Sequence, residues 1–284
     1  MKFKNPKADL FVPDGASASK AFSRTTHLCI AAHQDDIEIM AQHGISECFM
    51  REDRWFSGVV VTDGAGSPRA GAYAGYDDES MRRVRLLEQR KAAFVGDYAC
   101  QIQLGFPSSE VKNARDTGLV EDLQQILRAA RPRVVYLHNL ADKHDTHVAV
   151  SLRAVAALRA LAGEYQPEKV YGCEVWRALD WLQDDDKVAL PVSARSNIAA
   201  ALVGVFDSQV TGGKRYDLAT AGRRLANATY LASHGTDKES ALSLAMDLTP
   251  LVEDPNLPIA AYVLAYVDRL RADIEKRLTK LGAP

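Results

Sequence analysis

Short apolar runs alternate with amphipathic helical patterns from residue 26 to about residue 160. The runs at 26–32, 55–62, 99–104 and 134–140 are each followed by a segment whose apolar residues recur at helical spacing. Strands buried on both faces read as continuous apolar runs, and strands that alternate with helices form parallel sheets. The pattern therefore predicts an α/β fold: a Rossmann-like, mostly parallel sheet with helices on both faces.

The remaining residues predict additions to this core. Residues 163–284 contain a strand-like segment at 169–176 and helical patterns at about 196–207, 215–234 and 258–281, which together predict a C-terminal cap and helices. Residues 1–25 are polar and predict an arm that lies over the domain. Because no Pro/Gly-rich hinge separates these parts, we expect a single domain over 1–284 with residues 26–162 as its core.

Composition narrows the class of protein. A formal net charge of −2 and a pI near 6.4 give no electrostatic footprint for nucleic acid or an anionic membrane surface. No run approaches the ~20 apolar residues of a membrane span, and the first residues lack the apolar stretch of a secretion signal. The four cysteines are scattered, which favours free thiols in a reducing compartment. We therefore expect a cytoplasmic protein that binds neither nucleic acid nor membranes.

The first candidate for chemistry is an acidic corner after the run at 26–32. His33, Asp35 and Asp36 follow that run directly, and a helical pattern starts at Asp36. In an open α/β sheet, ligands bind at the carboxyl ends of the strands. Two carboxylates and an imidazole crowded at such a corner would be unfavourable without a cation between them, which indicates a divalent metal. A simpler interpretation treats Asp35 as a helix N-cap, but it leaves the histidine unexplained.

A second histidine-bearing corner follows the run at 134–140. Zinc in a catalytic site takes three N or O ligands and keeps one position open for water. His33, Asp36 and one histidine of the second corner would supply that set, leaving Asp35 as a general base and another imidazole as an acid or electrophile. His138 either packs against the core or approaches the site. The polar residues of this corner are His138, Asp142, His144, Asp145 and His147.

The glycine-rich segment 63–78 is too irregular for a helix or a strand. Long loops within compact domains are usually functional or mobile. Tyr73 and Tyr76 in this segment could stack on a substrate beneath a closing lid, or the segment could be a plain surface loop.

The ordered motifs resemble those of the LmbE-like (PIG-L) zinc-dependent N-acetylglucosamine deacetylases. Residues 32–38, AHQDDIE, are similar to the family's Ala-His-Pro-Asp-Asp motif, in the form found in the bacterial branch that includes the bacillithiol-pathway deacetylases. Residues 142–147, DKHDTH, resemble its Asp-x-His-Pro-Asp-His segment. Residues 62–64, the Arg-x-x-Glu pair at 85 and 88, and residues 104–107 fall in the family's order. The resemblance covers about residues 26–160.

The resemblance implies a role for each matching residue. It assigns the metal ligands, the carboxylate that activates the attacking water, the imidazole that stabilises the oxyanion or protonates the leaving amine, and the groups that bind the sugar. By this resemblance the metal ligands are His33, Asp36 and His147. The carboxylate is Asp35 and the imidazole is His144. Arg85 binds the sugar, and the further substrate-binding candidates are Asp63, Tyr73, Tyr76 and His138.

Two positions depart from the family pattern. Gln34 replaces a proline, which should affect the rigidity of the corner more than its chemistry. Thr146 replaces the aspartate that orients the catalytic imidazole in the family, while Asp145 occupies a proline position. That orienting role must pass to Asp145, Asp142 or another group.

The resemblance implies a hydrolase that removes the acetyl group from an N-acetylated sugar or glycoside, with Zn²⁺ or alternatively Fe²⁺. Its expected partner is a small N-acetylated molecule, and a homo-oligomer stays open. A magnesium phosphohydrolase is disfavoured because Mg²⁺ prefers oxygen ligands to imidazole. A nucleotide-binding module would need a glycine-rich corner. A non-catalytic sugar-binding protein would need neither Asp35 nor His144.

Overall fold

In the computed structural model, which describes residues 1–283, eight strands form one mixed sheet. The order across the sheet is β1-β4-β3-β2-β5-β6-β8-β7, and the five consecutive strands from β4 to β6 are parallel. The strands are β1 (Asp9–Phe11), β2 (His27–Ala31), β3 (Phe56–Thr62), β4 (Cys100–Phe106), β5 (Val134–His138), β6 (Lys169–Cys173), β7 (Val188–Pro191) and β8 (Leu242–Asp247).

Twelve α-helices of the described residues surround this sheet. They are α1 (Ala18–Arg24), α2 (Asp36–Met40), α3 (Gln42–Cys48), α4 (Asp78–Val95), α5 (Ser108–Lys112), α6 (Gly118–Ala130), α7 (Asp145–Ala160), α8 (Ser196–Gly204), α9 (Asp207–Val210), α10 (Tyr216–Tyr230), α11 (Pro250–Glu253) and α12 (Ile259–Lys280). None of these helices is both long and apolar enough to cross a bilayer.

Strand β2 shows how the sheet separates two buried cores. Its side chains alternate between the faces, so Leu28 and Ile30 join one apolar cluster while Cys29 and Ala31 join the other. Buried residues of α1, α6 and α7 complete the first cluster, and those of α2, α3, α4 and α8 complete the second. The predicted mostly parallel sheet with helices on both faces is confirmed.

Several local predictions differ from the structure. Residues 1–25 are more than an overlying arm, because β1 pairs antiparallel with β4 at the sheet edge and α1 packs into the first core. The helix expected to start at Asp36 and continue to Cys48 is interrupted at Ala41, where the backbone leaves helical geometry. The division at residues 162 and 163 stays a prediction.

The C-terminal residues add strands that the sequence pattern did not predict. β8 pairs antiparallel with both β6 and β7, which extends the sheet beyond its parallel part. The helical patterns predicted for this third of the chain correspond to α8, α10 and α12.

Gly44 sets how closely α3 approaches β5. A Cβ atom at this position would lie 2.6 Å from the ring of Tyr136, which is fully buried in β5. We expect Gly44→Ala to destabilise the protein by roughly 1–3 kcal/mol, because a well-packed ring must shift to accommodate the new methyl group. Urea unfolding followed by circular dichroism measures this change.

Gly222 provides the matched control. It also lies within a helix, α10, but a Cβ there would meet no atom within 4 Å. Gly222→Ala should therefore stabilise the protein by about 1 kcal/mol through helix propensity alone. Equal effects of the two substitutions would contradict the close packing of α3 on β5.

Candidate metal centre

The two histidine-bearing corners meet at one edge of the sheet. β2 and β5 are adjacent parallel strands, so the residues that follow them emerge side by side. Asp35 adopts φ 83°, a left-handed conformation that an aspartate tolerates better than most residues, and α2 begins immediately after it. This sharp turn separates the side chains of Asp35 and Asp36.

Three donor atoms form a nearly equilateral triangle at this edge. His33 Nδ1 lies 3.1 Å from His147 Nε2 and 3.2 Å from Asp36 Oδ2, and His147 Nε2 lies 3.3 Å from that same oxygen. The side chains of His147 and Asp36 are almost completely inaccessible to solvent, whereas His33 is partly exposed on the cavity side.

The network around the triangle holds these donors with their lone pairs inward. His147 Nδ1 donates to Asp142 Oδ2 at 3.1 Å, an arrangement that leaves Nε2 free to bind an ion. Asp36 Oδ2 also accepts the backbone N–H of His33 at 2.7 Å. Burial lowers the pKa of His147, but the carboxylates of Asp36 and Asp142 raise it by more. Burial would raise the pKa of Asp36, yet the imidazoles of His147, His138 and His33 lower it overall.

The triangle fits a tetrahedral transition metal. Bonds of about 2.0–2.1 Å in tetrahedral geometry place ligand atoms about 3.3 Å apart, close to the three observed separations. Two imidazoles and one carboxylate are also the donor types that a catalytic zinc site uses, with one position left for water. The cluster of His33, Asp36 and His147 could therefore hold a metal.

His138 belongs to an alternative ligand group that the structure makes less suitable. His138 Nε2 lies 3.5 Å from Asp36 Oδ2, but it accepts the backbone N–H of Ala32 at 2.8 Å, so its lone pair is already used. Burial lowers the pKa of His138 well below its ordinary value, and the His147 imidazole adds to this. Its ring stacks on that of His147 with centroids 3.9 Å apart. His138 thus packs beneath His147, one of the two placements that the sequence left open.

Asp35 lies beside the triangle and is held by a buried arginine. Arg85 Nη2 donates to Asp35 Oδ2 at 2.9 Å, and both side chains are almost fully buried. Burial raises the pKa of Asp35 to about 6, an effect that the positive charge of Arg85 opposes. Asp35 lines the same cavity as His33 and Asp36. Asp35 is therefore a carboxylate near the donor cluster, and its ion-pair partner is the guanidinium group of Arg85.

The Arg85 side chain is held in place by several contacts within the protein. It is 1% exposed, pairs with Glu88 at 3.1 Å in addition to Asp35, and donates to the carbonyl of Gln34. Glu88 in turn accepts the backbone N–H and the hydroxyl of Ser208, each at 2.7 Å. Arg85 lines the cavity, but these contacts place its guanidinium group behind Asp35.

The Gln34 side chain joins the first corner to the neighbouring strands β3 and β4 through hydrogen bonds. Its side-chain amide donates to the carbonyl of Thr62 at 3.3 Å and to Gln103 at 3.1 Å. The corner therefore gains side-chain bonds to β3 and β4 at the position where the related motif has a proline.

His144 faces the donor cluster without an orienting carboxylate. Its ring lies 4.5 Å from that of His147 and 5.0 Å from that of His33, and Nδ1 has no hydrogen-bond partner among residues 1–283. Asp142 Oδ1 accepts the His144 backbone N–H, and Asp142 Oδ2 accepts from His147. Asp142 therefore does not orient the His144 ring. Burial lowers the pKa of His144, and His147 and His33 lower it further. Trp176, stacked at 6.5 Å, is its outer neighbour.

The cluster opens into a cavity of about 580 Å³. The first half of the segment 63–78 contributes to its wall, including Asp63, which accepts a bond from Arg82 at 2.8 Å. Tyr73 and Tyr76 are not among the lining residues; they contact each other, and the Tyr73 hydroxyl donates to Asp207 at 2.6 Å. The structure therefore does not bring the two tyrosines to the site.

Other parts of the cavity wall come from residues that the sequence analysis did not identify as part of a site. The sequence could have indicated the first of these residues by their position. They directly follow β6 and so lie at the same edge of the sheet as the donor cluster. The principal ones are Glu174, Val175, Trp176, Lys214, Tyr216, Arg223 and Arg224.

Comparison with known families agrees with this architecture. Residues 28–158 match the family model of PIG-L, described as GlcNAc-PI de-N-acetylase. The matched residues contain both corners and the whole donor cluster. The predicted resemblance to this family is confirmed, while the bacterial branch stays a prediction. No curated protein matched the chain.

Solved structures share the fold at low sequence identity. A conserved protein from Thermus thermophilus is 21% identical with a TM-score of 0.63, over 82% of this chain and 99% of that one. N,N'-diacetylchitobiose deacetylase from Pyrococcus horikoshii is 12% identical with a TM-score of 0.62, over 88% and 93%. The 4-carboxy-2-hydroxymuconate hydratase from Pseudomonas putida is 17% identical with a TM-score of 0.61, over 79% and 96%. Since the named activities of these proteins differ, the shared fold does not select one.

The alternative group of Asp36, His138 and His147 shares two donors with the triangle, so His33 and His138 distinguish the two groups in metal binding. Removing the donor that belongs to the triangle but not to the alternative group should abolish binding, so His33→Gln should lose the metal. His138→Gln should retain it, because a glutamine oxygen can still accept the Ala32 N–H. Elemental analysis after gel filtration measures the metal per chain.

His43→Gln is the control for replacing a partly buried histidine, since His43 bonds Tyr136 at 2.8 Å away from the cluster. Loss of metal from His138→Gln with retention in His33→Gln would assign the ion to the alternative group of Asp36, His138 and His147.

Proposed function

We propose that this protein is a metal-dependent N-deacetylase that hydrolyses the acetamide of an N-acetylated sugar or sugar conjugate. The observation that carries the proposal is the donor triangle of His33, Asp36 and His147 with the Asp35 carboxylate beside it in one cavity. The family description, GlcNAc-PI de-N-acetylase, supports the same class of reaction. Zn²⁺ suits the mixed imidazole and carboxylate donors, and Fe²⁺ is the alternative.

A divalent metal bound here would lower the pKa of a coordinated water and polarise the acetamide carbonyl. His33, Asp36 and His147 are the residues that would hold it. Asp142 supports the set through its bond to His147 Nδ1, since such outer carboxylates fix the ring orientation and raise its basicity.

Asp35 is the proposed general base. It takes the proton of the attacking water as the new C–O bond forms, and the same proton is available to the amine when the C–N bond breaks. Arg85 keeps this carboxylate in one orientation by pairing with one of its oxygens. In this proposal Arg85 positions Asp35, and Glu88 and Ser208 position Arg85.

His144 is the proposed donor to the developing oxyanion. Its ring lies beside His33 and His147 at the cavity wall, so an N–H of the imidazole can reach an oxygen bound near the cluster. A single donor of this kind contributes about 3–4 kcal/mol in acyl-transfer sites. Packing between His147 and Trp176 supplies the orientation that an aspartate would otherwise provide.

Other classes are less well supported. A magnesium phosphohydrolase would want mostly oxygen ligands, whereas two of the three triangle atoms are imidazole nitrogens. The shared fold of the Pseudomonas hydratase keeps a water-adding enzyme as the main competitor. The match to the de-N-acetylase family model favours amide hydrolysis over water addition.

The test is release of a free amine from a panel of N-acetylated sugars by metal-loaded protein, detected with an amine-reactive fluorophore. We expect wild-type protein to release amine and acetate in equal amounts. Asp35→Asn should retain the metal and lose at least about a hundredfold in kcat, the usual contribution of a general base.

Asp145→Asn is the matched control, because Asp145 is an exposed aspartate of the second corner. It should keep near wild-type activity, consistent with His144 having no carboxylate partner. Absence of amine release from every sugar, or an Asp35→Asn protein as active as wild type, would reject the deacetylase proposal.

A further inference from the structure

Helix α12 is attached to the domain through its first half only. Ile259, Tyr262 and Tyr266 pack against the first apolar cluster. The Tyr262 hydroxyl also donates to the carbonyl of Asp247 at 2.6 Å. Every residue from 274 to 283 is exposed. The second half of the helix therefore presents all of its faces to solvent.

One exposed stripe along α12 has apolar side chains at alternating intervals of three and four residues. Such spacing averages 3.5 residues, which is the repeat of a two-stranded coiled coil. Every position of the stripe is exposed, and its large apolar side chains are between 40% and 82% exposed. One central position holds an arginine. The stripe consists of Ala260, Leu264, Val267, Arg271, Ile274, Leu278 and Leu281, the last of which directly follows the helix.

This stripe calls for a helical partner. No other helix of residues 1–283 exposes as many large apolar side chains, and an exposed apolar surface of this kind marks an interaction site. In proteins, most of the stability of a helix comes from packing of its apolar face. The 3.5-residue spacing specifies the partner as another α-helix, because the residues of such a helix form holes at the same interval.

A second copy of α12 supplies the matching repeat when the two helices run antiparallel. Each stripe then faces the opposite end of the other stripe, and the contacts are the same from either subunit, as a two-fold axis requires. The exposed half of each helix covers the part of the partner's stripe that lies near the partner's domain. The facing pairs are Leu264 with Leu281 of the partner subunit, Val267 with the partner subunit's Leu278, and Arg271 with the partner subunit's Ile274.

The charges around Arg271 select this orientation. In a parallel pair, Arg271 would face Arg271 of the partner subunit, and two like charges would meet within an apolar seam. In the antiparallel pair, Arg271 instead lies level with Glu275 of the partner subunit. Within α12, the two aspartates already pair with arginines, whereas Glu275 has no ion-pair partner among residues 1–283. The antiparallel pair thus gains two symmetric contacts between opposite charges.

We propose that α12 is a dimerisation helix, which pairs antiparallel with α12 of a second copy of this chain through the exposed stripe. Pairing removes the large apolar side chains of both stripes from water, which is the favourable term for association. Because α12 contributes no residue to the lining of the cavity, dimerisation and catalysis can be tested separately.

Sedimentation equilibrium of the metal-loaded 284-residue chain tests the proposal. We expect wild-type protein to form a dimer at micromolar concentrations. Leu278→Glu should raise the dissociation constant at least about a hundredfold, because the two-fold axis places the new carboxylate in the apolar seam twice. Leu278 is 53% exposed in the single chain, so this substitution should leave the fold intact, as circular dichroism can verify.

Ala272→Glu is the matched control. Ala272 is an exposed residue of the same helix, but it lies outside the stripe. The substitution introduces the same side chain and the same charge as Leu278→Glu. It should leave the dissociation constant of the dimer unchanged.

Disulfide cross-linking tests the orientation of the two helices. All four native cysteines are buried, so a mild oxidant should act on introduced surface thiols. The double variant Leu264→Cys/Leu281→Cys places thiols opposite each other in the antiparallel pair and should form a covalent dimer. Leu264→Cys alone should form little, because the two introduced thiols would lie about 25 Å apart along the helix axis.

Three results would overturn the proposal. The first is wild-type protein that stays monomeric at every concentration measured. The second is an oligomer of any size that Leu278→Glu leaves unchanged or that Ala272→Glu disrupts equally, since the stripe would then not be the contact. The third is efficient cross-linking by Leu264→Cys alone, which would indicate a parallel pair.

Discussion

The crowding of three electron-pair donors in a buried corner is the constraint on which the rest of the site depends. His33 Nδ1, Asp36 Oδ2 and His147 Nε2 lie 3.1–3.3 Å apart. The bond that His147 donates to Asp142 and the bond that the His33 backbone N–H donates to Asp36 hold two of them in place. Donor atoms at such distances need a cation or shared protons between them. The fit to tetrahedral spacing favours a metal, and every proposed role of Asp35 and His144 follows from an ion at that position.

The fold supplies this corner through ordinary features of a parallel sheet. β2 and β5 are neighbours, so the segments after them meet although they are far apart in the chain. The left-handed backbone at Asp35 lets consecutive aspartates serve different purposes, with Asp36 at the triangle and Asp35 against Arg85. The antiparallel additions β8 and β7 extend the sheet on the side of β6, where the second wall of the cavity begins.

The parts predictable from sequence were those encoded by local pattern. Apolar runs and helical spacing located the parallel strands, and the position of polar residues after two of them located the donor cluster. The antiparallel strand β8 was missed because its run is short and its pairing with β6 and β7 joins segments that are far apart in the chain. The burial of Arg85 could not be read from its motif, since it depends on Asp35 and Ser208, which come from separate elements. The placement of Tyr73 away from the cavity likewise depends on Asp207, a distant partner.

The central claim is that a metal binds the triangle and leaves His138 outside its coordination sphere. Anomalous diffraction from crystals soaked in zinc, recorded on both sides of the zinc absorption edge, tests it most directly. The account predicts one peak about 2.0–2.1 Å from His33 Nδ1, Asp36 Oδ2 and His147 Nε2. A peak bonded to His138 Nε2, or no peak at this edge of the sheet in zinc-saturated crystals, would contradict it.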